Sequence, residues 1–380
     1  AQTGTRSGAA AGTQNTSPQK VAAAQAAAAS PSIAQFIKVR VPGSVALLPT
    51  GEMLVRDWPN GVFQLYRSPT ASPSGLADAL ALTAFKDGLS GYSLSPDGSK
   101  LLLMFASGGN ENTQIAFADP LATPGADGTI PRVPVVDNPK VQSSPNTWFE
   151  DSTGFIYSAN DTSPSDFHLY RFDFAANDGK GAATKILAKE GSWAAADTTK
   201  DKTRALVSQF RSASDSTVHE LDIATGELTE LTIKGKGETV ACNPVGYMPG
   251  DAQVLMLSDA DGDLQRLLMK DLKTGAITEP VPALSKFEID GVSMNDTKTM
   301  VVVTTNEDGY AVPHAFALPG FSPIQLPKEL EQLGKGLFNA GQFRGNTLVW
   351  SLTNARNPGQ TYATTWNSDG SVKSTVQLTA

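Results

Sequence analysis

The stretch Gly88–Pro120, GLSGYSLSPDGSKLLLMFASGGNENTQIAFADP, decides the fold. It reads as strand, tight turn, strand, loop, strand. In Ser95-Pro96-Asp97-Gly98, proline fixes φ, aspartate bonds its own backbone and glycine accepts a positive φ, so the chain reverses there. Lys100 to Ala106 is an almost unbroken apolar run, as expected of a strand buried on both faces. Gly108 to Asn112 breaks the run, and an extended pattern resumes from Thr113 to Ala118.

Working outward, the same unit recurs. First-turn tips fall at Gly51, Gly98, Gly154, Lys202, Gly250, Thr297 and Gly345, about 50 residues apart, with one longer insertion in the second unit. An apolar strand follows most of them, for example Met53-Leu54-Val55, Phe155-Ile156-Tyr157, Val254 to Leu257 and Met300 to Val303. A polar loop and an alternating strand come next. In several units a further hairpin such as Ile223 to Leu228 or Leu272 to Ile277 adds a fourth strand. Four strands per unit, repeated seven times without helical periodicity, predict an all-β, seven-bladed β-propeller over residues 41–380. Residues 1–40 read as a low-complexity, helix-prone extension. Ser17-Pro18 could start an Ala-rich helix over Gln19 to Ala29, and Ile33, Phe36 and Ile37 have an amphipathic spacing.

Composition agrees. Charged residues are 18% and apolar residues 40%, with 34 Gly and 24 Pro, the profile of a turn-rich β protein. A net charge of −8 with no basic face argues against nucleic-acid binding. No apolar run approaches the ~18 residues of a membrane span. The single cysteine, Cys242, excludes an internal disulfide and reads as a buried thiol. The start at Ala1-Gln2 without Met fits a removed export signal or a shortened chain; the expected location is the periplasm or the exterior, otherwise the cytoplasm.

In an up-and-down blade the loops between strands two and three share a face with both termini. Those loops run through Arg56 to Gly61, Gly108 to Asn112, Asn160 to Asp166, Arg211 to Ser216, Asp259 to Asp263, Asn306 to Gly309 and Asn354 to Pro358. They are polar, rich in acids and read as longer than minimal hairpins. Asn110, Glu111, Gln114, Asp261, Asn306, Glu307 and Arg356 are the candidate partner- or substrate-facing residues.

Several segments resemble the N-terminal propeller of the prolyl-oligopeptidase family of serine peptidases, in its acylaminoacyl-peptidase-like bacterial branch. They are Leu82-Thr83 through Gln114, with LSPDGSKLLL followed by GGNENTQ, Asp259 to Gln265 leading to Asp271 to Gly275, Thr305-Asn306-Glu307-Asp308-Gly309-Tyr310, and Leu352 to Pro358. The match spans residues 33–379. The resemblance implies a propeller that caps an α/β-hydrolase domain and gates peptide access to it. It also implies that the hydrolase domain would begin where this sequence ends, at Leu378-Thr379-Ala380, and so be missing from this chain. No G-x-S-x-G nucleophile elbow occurs, so no triad residue is carried over and the chain alone is expected not to be catalytic.

Other chemistry is thinly supported. His168, His219 and His314 lie on or beside third strands of different units, without metal-ligand spacing. Asp259-Ala260-Asp261-Gly262-Asp263 departs from a calcium loop, having glycine fourth and Lys270 where the chelating Glu belongs. Asn160-Asp161-Thr162 is a glycan acceptor only in a eukaryotic secretory setting. Trp148 and Trp193 read as blade-packing residues on first strands, and the first strands offer no set of acids for a channel metal. No cofactor or metal is expected. The expected partners are a hydrolase domain or subunit, or another protein, together with peptide substrate. The rival reading is a free-standing propeller that recruits a protein or peptide as a scaffold.

Overall fold

The computed structural model describes residues 32–37, 42–69, 78–235, 237 and 239–379. The chain divides into two compact units, 1–39 and 40–380. In the first, the described part is the short helix Ile33–Ile37. Its start is capped reciprocally: Ser32 N–H donates to Gln35 Oε1 (2.7 Å) and Gln35 N–H to Ser32 Oγ (3.3 Å). The Ala-rich helix expected over Gln19 to Ala29 lies outside the described residues.

The second unit is all-β and propeller-like. Its strands form seven successive antiparallel groups of four, over 43–81, 91–136, 143–187, 192–230, 242–278, 288–323 and 337–377. Each group runs in chain order from first to fourth strand. Two single parallel bridges, Phe167↔Ser192 and Ala311↔Leu337, join third to first strands of consecutive groups.

The second strands explain the unbroken apolar runs. Successive side chains point to opposite faces, and here both faces are covered. Leu101 and Leu103 pack with Leu54 and Leu65 of the first group, while Leu102 packs with Phe155 of the third. Ile156 meets Ala205 and Val207, Leu206 meets Val254 and Met256, and Leu255 meets Val301 and Val303. Val302 meets Leu348 and Trp350, and Val349 meets Met53 and Val55 of the first group. The last group is thus packed on the first. Gln342 Oε1 reinforces this by accepting from Leu47 N–H at 2.7 Å, and Arg344 Nη1 donates to Leu47 O at 3.1 Å.

Six of the seven first turns share one geometry. The N–H groups of Gly51, Gly98, Ser152, Lys202, Asp251 and Lys298 each donate to the carbonyl three residues back, and each of these residues has a positive φ. This corrects two expected tips. The left-handed residues are Ser152 and Lys298, not Gly154 and Thr297. Gly154 opens the strand Gly154–Ser163, where a Cβ would lie 2.1 Å from Phe172 O; its glycine serves packing, not turning.

Four of the loops between second and third strands are tighter than expected, whereas those over 58–63, 106–113 and 259–265 are longer than minimal hairpins, as expected. In those four, strands run on to Ser163, Ser212, Glu307 and Asn354 and resume at Asp166, Asp215, Tyr310 and Asn357, leaving two-residue hairpins. Asp308 (φ 56°) and Gly309 (φ 83°) have the paired positive φ of a type I′ turn, whose twist matches that of the strands. One helix was not foreseen. Lys328–Leu333 follows Pro327, a residue suited to a helix start, in the connector between the sixth and seventh groups.

Candidate functional site

The two ends of the strand groups differ in chemistry. At the first-turn end lies a cavity of about 350 Å³, lined by residues of the second to seventh groups. All of its walls come from the ends of first strands and the turns after them, among them Ser95, Asn146, Trp148, Asp197, Lys298 and Arg344. This end is held by polar bonds across groups. Asp197, on the first strand Ser192–Thr198, accepts from Lys298 Nζ at 2.7 Å and from Tyr247 N–H at 2.8 Å. The pair therefore straddles the first strand of the fifth group. A Cβ on Gly246 would lie 2.8 Å from Met294 Cε and 3.0 Å from Asp197 Oδ2, so the strap needs glycine beneath it. Arg344 Nη2 donates to Ser95 O at 3.0 Å, and Trp148 Nε1 to Ser93 Oγ at 2.7 Å.

Further out on this end the turns carry depressed carboxylates. Burial raises the Asp151 carboxyl, but Lys202 and Thr153 outweigh it and hold the group at about 2. The Thr199 hydroxyl, with the N–H and hydroxyl of Thr203, holds Asp201 at about 2. These acids are committed to their turns. No local spacing signals the Asp197–Lys298 pair, whose partners are 101 positions apart.

The opposite end carries the hairpins between second and third strands. Asn110 is exposed, its Oδ1 accepting from Asn112 N–H at 3.0 Å, and Glu111 is exposed beside it. Gln114 is not partner-facing. It is 5% exposed, its Nε2 donates to Asn112 O, Asn138 O and Val141 O at 2.9–3.0 Å, and its Oε1 accepts from Asn138 N–H at 2.6 Å. Its amide is spent on holding the next connector in place. Asp261 is exposed in the loop 259–263, which faces Gly235, Gly237 and Thr239 across a cavity of about 370 Å³.

Asn306 and Glu307 lie on the hairpin of the sixth group. Asn306 Oδ1 accepts from Gly309 N–H at 3.0 Å. Glu307 Oε1 is 3.3 Å from His314 Nε2 and accepts from Thr305 Oγ at 3.1 Å. Burial lowers the His314 pKa, and Glu307 opposes that. Arg356, exposed on the hairpin of the seventh group, is 2.9 Å by its N–H from Asn354 Oδ1. Of the seven candidates, Asn306 and Glu307 share the sixth hairpin, whose Gly309 and Tyr310 line one cavity with Arg356 of the seventh; Asn110, Glu111 and Gln114 belong to the second group and Asp261 to the fifth. Exposed apolar side chains also gather at this end of their strands: Val62, Phe63, Phe210, Leu264, Tyr310 and Leu337. The sequence reading passed over these because an isolated apolar residue beside a turn has no periodic signal.

The histidines occupy third strands. His168 Nδ1 is 3.2 Å from Lys185 Nζ, and His219 packs 5.4 Å from Trp193. Among the described residues no group of three His, Cys, Asp or Glu is placed to hold a metal ion. Cys242 is fully buried, and burial raises its thiol pKa. No described helix is long and apolar enough to cross a membrane.

No family model and no curated protein matches the chain. Among solved structures its fold is similar to a prolyl endopeptidase studied for inter-domain dynamics in catalysis and specificity, at 16% identity and a TM-score of 0.64, over 89% of this chain and 49% of that one. It is also similar to prolyl oligopeptidase B from Galerina marginata bound to a 35mer hydrolysis and macrocyclization substrate, at 12% identity and a TM-score of 0.68, over 89% and 50%. The apo form of that protein gives 12% and 0.66. The chain spans about half the length of the solved structures it matches, and the likeness shows a shared propeller-like fold.

Proposed function

We propose that the seven groups are blades of a closed seven-bladed propeller, and that this propeller is the non-catalytic module of a prolyl-oligopeptidase-like serine peptidase. In this reading it caps a hydrolase domain and restricts access to peptides. The fold likeness across 89% of the chain, to about half of each matched structure, carries the reading. Two features support it. The packing circuit from Leu54 through Val349 back to Met53 leaves no group without a neighbour on each face. The hairpin end presents scattered apolar side chains over polar turns, as a partly polar domain interface does. The first-turn end, by contrast, is tied by Asp197, Lys298 and Arg344 into its own framework.

A fluorophosphonate probe for activated serines tests this. Applied to extract from the native source, followed by capture with an antibody to residues 42–379, it is expected to label a serine outside this sequence in the captured material. The recombinant 380-residue chain is expected to take no label. A labelled serine within the chain would overturn the non-catalytic assignment. Capture of an unlabelled chain with an unrelated protein would favour the free-standing scaffold.

A further inference from the structure

At the hairpin end, between the sixth and seventh groups, lies a cavity of about 500 Å³, a size suited to a short peptide segment. Its apolar walls are Leu337 (57% exposed) and Tyr310 (38% exposed). Its cations are Arg356 and Lys335. Neither has a carboxylate partner among the described residues, and Lys335 Nζ instead sits 5.2 Å from the Tyr310 ring centroid. Of the acids on the sixth hairpin, Glu307 is engaged by His314 and Thr305, and Asp308 adjoins Gly309 but is not among the residues lining the cavity.

The frame around this cavity is fixed. Asn354 Nδ2 donates to Leu333 O at 2.9 Å and to Lys335 O at 3.2 Å, tying the connector to the seventh hairpin. Gly336 O accepts from Ala311 N–H at 3.1 Å, tying it to the sixth group. A Cβ on Gly336 would lie 2.6 Å from Thr353 O, so the close approach requires glycine. Two cations without a carboxylate partner among the described residues are therefore held beside two exposed apolar side chains on a rigid support.

We propose that this cavity captures the C-terminal end of a peptide whose last residue is apolar. Its free carboxylate meets Arg356 and Lys335, and its last side chain lies on Leu337 and Tyr310. Charge complementarity selects an anion, and the apolar floor beside the cations selects one carried next to a hydrocarbon side chain. The choice of a peptide as the carrier rests on the peptidase reading above.

Fluorescence anisotropy with the intact chain tests the proposal without any hydrolysis, so its outcome is independent of the serine-labelling experiment. The probe is an N-terminally fluorescein-labelled tetrapeptide ending in Phe-Leu with a free carboxylate; its C-terminal amide is the control. The amide is expected to bind about tenfold more weakly. Arg356→Gln is expected to weaken the acid about fivefold and to leave the amide unchanged. Leu337→Asp, an exposed change that spares the fold, is expected to weaken it further by placing a like charge beside the carboxylate. Equal binding of acid and amide, an Arg356→Gln chain that binds like the wild type, or no binding at millimolar peptide would each overturn the proposal. Tighter binding of decanoate than of the peptide would overturn the peptide assignment.

Discussion

Val349→Asp is expected to prevent the chain from folding to a stable state, with a loss of more than about 4 kcal/mol. Val349 is 2% exposed on the second strand of the seventh group. It packs with Val45, Met53 and Val55 of the first group and with Ala363 and Leu378 of its own. The buried side chains of that cluster are all apolar and carry no donor, so an aspartate among them is either ionised without a partner there or neutralised at a comparable cost. Val376→Asp is the matched control. It places the same charge on the fourth strand of the same group, where the side chain is 43% exposed, and is expected to shift stability by no more than about 0.5 kcal/mol. Thermal unfolding followed by circular dichroism compares the two. A Val349→Asp chain that melts like Val376→Asp would mean that the first and last groups do not pack on each other.

Trp350→Ala is expected to cost about 3–5 kcal/mol. Trp350 is adjacent to Val349 but faces the opposite way, into the core between the sixth and seventh groups, and is 1% exposed. Its ring stacks on Tyr362 at 4.6 Å and 17°, and lies 5.8 Å from Phe338. Its Nε1 donates to Thr364 Oγ at 2.9 Å. Alanine removes one of the two tryptophans of that core and leaves the Thr364 hydroxyl without this donor. Trp350→Phe keeps a ring in place and is expected to recover more than half of the loss. Equilibrium urea unfolding of the three chains measures both differences. A loss under about 1 kcal/mol for alanine would show that the site collapses around the cavity.

These neighbours also show what was legible in the sequence. A run such as Leu101-Leu102-Leu103 fits a strand covered on both faces, and the structure sends its members to two cores. The period of the first turns was equally visible, because Asp-x-Thr/Ser and Pro-Asp-Gly carry their own hydrogen-bond logic. Local rules stop there. They could not distinguish Gly154 as a packing glycine from Gly98 as a turn glycine, since the difference lies in Phe172, brought in by strand pairing. They read Gln114 as a surface amide, although the carbonyls of Asn112, Asn138 and Val141 surround it. They drew these hairpins too long because Asn306, Glu307 and Ser212 are polar yet still pair with Ala311, Tyr310 and Asp215. The exposed pairing of Lys335 with Tyr310 depends on the connector's path around Gly336, which no spacing encodes.

The proposed hydrolase domain would cover the hairpin end and not the first-turn end. Hydrogen–deuterium exchange tests it most directly, comparing the material captured from the native source with the isolated 380-residue chain. The account predicts slower exchange in the native material at 108–112, 306–310 and 353–357, with unchanged exchange at the first turns 95–98 and 199–202. Protection at the first turns instead, or identical exchange at both ends, would contradict it.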